Sequence, residues 1–196
     1  GTSGGEGRYI TLGQVYTIHP DDADKPDGQP RPSRNIGMYR LQLIDRRRTA
    51  MHWHLHHDGA RHWRAWKERG RPMPVAIAFG GESVLPYAAT APMPPGISEL
   101  LLAGLLNDKA IELVRCKTVD LHVPANAEIV IEGEVSTAAE APGVEKLELR
   151  SSGFELDGEA VPEGPFGDHT GFYSLPDRYP VLTVSAITHR RDPIYP

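Results

Sequence analysis

The chain has 196 residues, 39% of them hydrophobic and 24% charged, with a formal net charge of −5. That is enough for one cored domain, and the charge excludes an electrostatic case for nucleic acid or an anionic membrane as partner. Cys116 is the only cysteine, which excludes a disulfide framework and a thiolate metal site and reads as a buried, inert thiol suited to a reducing compartment. No apolar stretch approaches the roughly 20 residues that span a bilayer, and the opening GTSGGEGRYI lacks a signal-peptide core, so the expectation is a cytoplasmic protein with no membrane span.

Eighteen prolines and twenty glycines point to short strands joined by defined turns rather than to a helical bundle. In chain order, RYITLGQVYTI (Arg8–Ile18) and NIGMYRLQLI (Asn35–Ile44) are β-rich runs, and the polar HPDDADKPDGQPRPSR between them reads as an exposed connection. Arg46, Arg47 and Arg48 form a basic run that reads as a solvated turn. TAMHWHLHH is a candidate third strand. GARHWRAWKERG then has helical spacing, with Trp63 and Trp66 three apart and Gly70 as a stop. MPVAIAFGG suits a buried strand, and SELLLAGLLND reads as a helix with Ser98 as its N-cap. IELVRCKT, AEIVIEGEVS, KLELRSSGFEL and VLTVSAITH each alternate as strands do. Seven or eight strands against two or three interposed helices predict a mostly β (α+β) fold built on an antiparallel sheet or barrel.

Four stretches carry residues suited to chemistry. In HWHLHHDGARH, a strand would set His52, His54 and His56 on one face and Trp53, Leu55 and His57 on the other. Three imidazoles could then converge on zinc, against the plainer reading of an exposed histidine-rich strand. NIGMYR carries Asn35 and Arg40, five apart and nominally on opposite faces unless Gly37 or a bulge alters the pleat. GISEL puts Glu99 in the first turn of a helix, where the dipole favours a carboxylate whether or not it has a task. EGPFGDHTGF holds Glu163 and Asp168 on a segment stiffened by Pro165 and loosened by Gly164 and Gly167. Such a backbone path suits the aiming of two carboxylates, as an acid and base pair or as turn residues.

Taken together and in order, NIGMYR, MHWHLHHDGARH, GISELLLAGLL, VPANAEIVIEG, EGPFGDHTGFY and ITHRRDPIY resemble the UbiD family of prenylated-FMN-dependent (de)carboxylases, which includes the 3-octaprenyl-4-hydroxybenzoate carboxy-lyases. The resemblance runs from about Gly7 to Tyr195 and covers the family's central domain only, so residues 1–196 are expected to form one split β-barrel of the flavin-reductase, FMN-binding type with a few inserted helices, the family's N- and C-terminal domains being absent. By position, the resemblance implies Asn35, His56 and Glu99 as ligands of a divalent cation, Mn²⁺ or Mg²⁺, that clamps the cofactor phosphate, with K⁺ as a further candidate ion. An amide oxygen, an imidazole and a carboxylate suit such a hard cation. It implies Arg40, Glu163 and Asp168 as the catalytic network, without saying which acid donates the proton. Cofactor contacts are implied at Met38, Tyr39, Arg40, His52, Trp53, His54, His57 and Asp58, although His52, His57 and Asp58 stand where many relatives have basic residues or glycine. Glu128 and Glu132, four apart on a strand, read as framework or secondary cation contacts, and the stretch from Glu134 to Val161 reads as an added hairpin.

The function expected on this basis is reversible, non-oxidative decarboxylation of an aromatic or α,β-unsaturated acid. A flavin prenyltransferase would supply the cofactor, and the full-length protein could form homo-oligomers, its oligomeric state being left open by the sequence. Two rivals are a flavin-binding module without turnover of its own, since the missing domains would close over the cofactor, and a split-barrel flavin reductase, which gives no reason for Asn35, His56 and Glu99 together.

Overall fold

Leu12 has a φ of 62°, in the left-handed region that side chains avoid, so the first β-rich run breaks there into β1 (Tyr9–Ile10) and β2 (Gln14–Thr17). The computed structural model describes residues 8–26, 28–53, 56–94, 96–137, 160–163 and 177–196. After β2 comes the short helix α1 (Pro20–Ala23), with His19 Nδ1 accepting from the Asp21 amide. The second β-rich run is likewise broken, into β3 (Asn35–Met38) and β4 (Leu41–Leu43). Then follow β5 (Arg48–Met51), α2 (Asp58–Glu68), β6 (Met73–Gly80), α3 (Val84–Ala88), α4 (Glu99–Leu106), β7 (Leu113–Arg115), β8 (His122–Pro124), β9 (Ala127–Val135), β10 (Ala160–Glu163) and β11 (Asp177–His189).

The strands lie in the order β1-β4-β5-β11-β9-β6-β2-β3, with β10 paired to β11 and β7–β8 forming a separate two-stranded ladder. Each registered pair is antiparallel. In this order β3 and β4 stand near opposite ends of the sheet, yet only residues 39 and 40 separate them in the chain. Three Cα steps reach about 11 Å at most. The sheet therefore has to curl until its ends nearly meet, and the product is the mostly β split barrel expected from the sequence.

The barrel closes over β6, the MPVAIAFGG run, whose Val75, Ala76, Ile77, Ala78 and Phe79 are all buried. Fully burying side chains such as Ile77 or Phe79 stabilises by about 1.5–3 kcal/mol each. Helix α2 lays Ala60, Trp63 and Trp66 against this core. Trp66 Nε1 donates to the Ile18 carbonyl at 2.8 Å and Trp63 Nε1 to that of Ser136 at 3.0 Å, so both indoles bury without an unmet donor. Gly70, at a φ of 63°, ends the helical turn as expected. Ser98 Oγ caps α4 by accepting from the Leu100 amide.

Three sequence expectations need revision. The connection from His19 to Arg34 is folded back: Asp22 and Arg31 are buried, and Asp22 Oδ2 accepts from the Ser33 amide at 2.7 Å. The histidine-rich strand stops at Met51, because His52 and Trp53 turn away and His57 becomes the N-cap of α2. The alternation of His52, His54 and His56 on one face is thereby lost. The two broken runs account for most of the extra, shorter strands. The basic run is the solvated β4–β5 turn expected of it, with Asp45 Oδ1 accepting from the Arg47 and Arg48 amides. Cys116 is buried. KLELRSSGFEL and most of the added hairpin lie outside the described residues, and none of the described helices is long and apolar enough to cross a membrane.

Glu132, in the middle of β9 and 1% exposed, is framework. Its carboxylate accepts from the Lys117 amide at 3.0 Å, the Thr118 amide at 2.6 Å and Thr118 Oγ1 at 2.8 Å, pinning the segment that follows β7. Burial pushes its pKa up, but these hydrogen bonds, with one from Val119, outweigh burial and hold it below the usual glutamate range. A depressed folded-state pKa contributes stability above the ordinary value of about 4.3, lost as pH falls through the lower, folded one. Urea unfolding of Glu132→Gln should show a loss of about 2 kcal/mol at pH 7 and a flatter decline on the acid side. Equal stability at pH 7 would contradict this role.

Candidate functional site

Asn35 begins β3 directly opposite Thr17 of β2, and Glu99 begins α4. Both are buried, 7% and 4% exposed. Glu99 Oε2 accepts from the Ile36 amide at 2.8 Å, which ties the start of the helix to the strand beside Asn35. The two side chains line one open cleft of about 210 Å³, with Arg34, Asp58 and Arg61. Asp58 and Arg61 pair across one turn of α2 at 2.9 Å. Burial is the main influence raising the Glu99 pKa, and Asp58 adds to it, against the pull of the Ile36 amide and Arg61. Such a carboxylate is poised to gain from a cation.

Tyr39, in the link between β3 and β4, hydrogen-bonds the Asn35 side chain but is not among the residues that line this cleft. Its ring stands edge-on to Trp53, with centroids 6.2 Å apart, and lies 5.0 Å from His57. Burial pushes the phenol pKa up to about 12, while hydrogen bonds with the Gly59 backbone and the Asn35 side chain oppose the rise. Gly37 makes room for the phenol: a Cβ there would come within 2.3 Å of the Tyr39 ring and hydroxyl. Glycine in NIGMYR is thus a matter of space, and the pleat argument separating Asn35 from Arg40 does not apply, since Arg40 lies beyond the strand.

Of the other expected contacts, Met38 ends β3 half-buried, and Arg40 is half-buried with its carbonyl accepting from the His52 amide at 3.2 Å. His52 packs on Tyr179, ring centroids 4.4 Å apart. Trp53 is 2% exposed, its Nε1 without a hydrogen-bond partner among the described residues. His56 is exposed in the turn before α2, outside the residues that line the cleft. His54 and Asp168 lie outside the described residues. Glu163 is placed by its backbone at the end of β10, opposite Asp177. The register Val181↔Ala50 and Val161↔Tyr179, with Tyr179 packed on His52, carries β10 toward the end of the sheet where Arg40 sits. Among the described residues no three His, Cys, Asp or Glu side chains group as a metal site, and the converging-histidine site includes His54, which lies outside them. Glu128 proves to be framework like Glu132, holding Arg190 Nη1 at 2.9 Å and the Ile194 amide at 3.2 Å.

Two buried polar residues absent from the sequence-derived set stand behind Asn35. Thr17 Oγ1 lies 2.9 Å from His62 Nδ1 and accepts from Asn35 Nδ2 at 3.5 Å. Burial foremost, with Arg61 and His19 in the same direction, takes the His62 pKa down to about 3, so the ring stays neutral. One sequence signal pointed to His62: it falls four residues before Trp66, on the buried face of α2.

A split barrel with a buried amide and carboxylate sharing a cleft beside its seam defines the class. The chain belongs to the UbiD family: residues 2–196 match the 3-octaprenyl-4-hydroxybenzoate carboxy-lyase Rift-related domain. An uncharacterized protein of Aquifex aeolicus is 47% identical over 96% of this chain and 33% of its own length, and one of Archaeoglobus fulgidus is 42% identical over 96% and 34%. Vanillic acid decarboxylase of Sedimentibacter hydroxybenzoicus in its closed form superposes with a TM-score of 0.78 at 28% identity, covering 97% of this chain and 35% of that one. An evolved dimeric form of the UbiD-class enzyme HmfF from Pelotomaculum thermopropionicum, in complex with prFMN, gives 0.75 at 33% identity over 97% and 38%. The chain thus spans about a third of the length of these relatives.

The tight fit of Tyr39 over Gly37 has a direct test. Gly37→Ala should cost about 1–3 kcal/mol in chemical unfolding by driving the phenol off its partners. In a Tyr39→Ala background the same change should cost close to nothing. Additive costs would show that the phenol is not what limits position 37.

Proposed function

We propose that this chain is the cofactor-holding barrel of a reversible, non-oxidative (de)carboxylase acting on an aromatic or α,β-unsaturated carboxylic acid. The observation that carries the reading is the placement of the buried Asn35 and Glu99, distant in sequence, on one open cleft at the barrel seam. Amide and carboxylate oxygens there fit a hard divalent cation such as Mn²⁺ or Mg²⁺, with His56 supplied by the nearby turn as third ligand. Phosphate would complete the shell, which gives prenylated FMN a point of attachment. HmfF, which was solved with prFMN, supports this choice of cofactor. K⁺ is a candidate for a further ion.

When bound, the prenylated flavin supplies an electron sink for the pair released as CO₂ leaves. The chain's own contribution is position and charge. Arg40 pairs with the substrate carboxylate and orients it. Glu163 or Asp168, in its protonated form, delivers H⁺ to the carbon that has lost CO₂, and the other stays ionised. Running backward, the same residue as a carboxylate removes that proton before CO₂ adds. Met38, Tyr39, His52, Trp53, His54, His57 and Asp58 are the residues that would hold the flavin. A flavin prenyltransferase supplies the cofactor, and the rest of a longer chain closes the site and mediates oligomerisation. A second reading is a flavin-binding module without turnover of its own, since water reaches a cofactor that nothing closes over.

Co-expression with a flavin prenyltransferase in manganese medium, followed by absorbance and mass spectrometry, tests the site. The wild type should retain a modified flavin, and both Asn35→Ala and Glu99→Ala should abolish retention. Retention unaffected by either change would overturn the cation-clamped reading. CO₂ release from a panel of aromatic and unsaturated acids then separates the enzyme from the binding module.

A further inference from the structure

An asparagine side chain has two faces of opposite use to a cation. Its oxygen is a ligand and its NH₂ is a repellent dipole end, so Asn35 can serve only if something fixes which end faces the cleft. Three features of the interior do so. Thr17 sits directly across the β2–β3 ladder from Asn35, and Asn35 Nδ2 donates to Thr17 Oγ1 at 3.5 Å. Thr17 Oγ1 in turn lies 2.9 Å from His62 Nδ1. Thr17 is 2% exposed and His62 1%, so water does not compete for these bonds.

Thr17 has a single hydroxyl proton. With Nδ1 of a neutral His62 as acceptor, that proton goes to His62, and the lone pairs of Oγ1 are left for the Asn35 NH₂. With the opposite tautomer, Nδ1–H would donate to Thr17, and the hydroxyl proton would turn to Asn35 and call for its oxygen. The amide would then present NH₂ to the cleft.

We propose that the buried Thr17–His62 pair positions Asn35 as a cation ligand, holding its amide nitrogen inward so that the carbonyl oxygen is left for the cleft. This inference rests on the cation reading of that cleft. Thr17 and His62 are positioning residues, since they act through Asn35. Outer partners that orient a metal ligand typically change affinity by about 10- to 100-fold when removed.

The test titrates Mn²⁺ into the protein at its natural length, with FMN as the phosphate-bearing partner, and follows free Mn²⁺ by electron paramagnetic resonance. Thr17→Val keeps the shape and β-branching of the strand residue but offers no acceptor, and should weaken Mn²⁺ by about 10- to 100-fold. Thr17→Ser, which restores a hydroxyl, should bind close to wild type. ¹⁵N chemical shifts of His62 should show a neutral ring protonated on Nε2. If Asn35→Ala weakens Mn²⁺ while Thr17→Val matches wild type, the positioning role is overturned and the cation reading stands. If wild type and Asn35→Ala bind alike, the cation reading falls and the positioning role with it. Should Thr17→Val not fold, the tautomer decides by itself: a ring protonated on Nδ1 overturns the proposal.

Discussion

The constraint on which the rest of the structure depends is the short link at residues 39 and 40, between strands that stand near opposite ends of one sheet. A chain segment of that length cannot cross an open eight-strand sheet, so the sheet must close on itself. The β1–β2 link repeats the demand at residues 11–13, where Leu12 takes a left-handed conformation and Gly13 leaves room that a Cβ would take from Ile77 and Phe79. Closure brings the two links to the seam. There the ladder of hydrogen bonds is interrupted, and Asn35 lines a cleft with Glu99.

Buried polar groups in this barrel fall into two kinds, distinguished by how fully they are satisfied. Glu132 is met by four hydrogen bonds and its pKa falls despite burial. It staples one segment to the sheet, and no capacity is left over for a ligand. Glu99 meets the Ile36 amide, and its pKa rises. The same residue type under similar burial is therefore framework in one place and an open acceptor in the other. Asn35 belongs with Glu99, since the Thr17–His62 pair engages its nitrogen from behind.

Much of this was legible in order rather than in any one motif. The apolar MPVAIAFGG run suited a buried strand, Ser98 and Gly70 marked helix limits by their capping chemistry, and alternation in AEIVIEGEVS gave β9. The histidine-rich run misled because strand alternation is a local property, whereas the strand ends where its ladder partners end. β5 pairs with β4 and β11 only as far as Met51. The connection from His19 to Arg34 misled for a related reason: polarity predicts exposure unless partners such as Ser33 and Lys25 lie within reach of Asp22, and composition does not reveal partners.

By itself the sequence determined the fold class, the core strand, the helix limits and, through six ordered motifs, the family. Tertiary structure alone decided which residues meet. Asn35 and Glu99 share a cleft because α4 is hydrogen-bonded to β3, and Thr17 and His62 stand behind Asn35 because β2 is in register with β3 and α2 packs beneath them. Ladder register and helix docking are non-local quantities, set by burial across the whole barrel, and no window of the chain contains them.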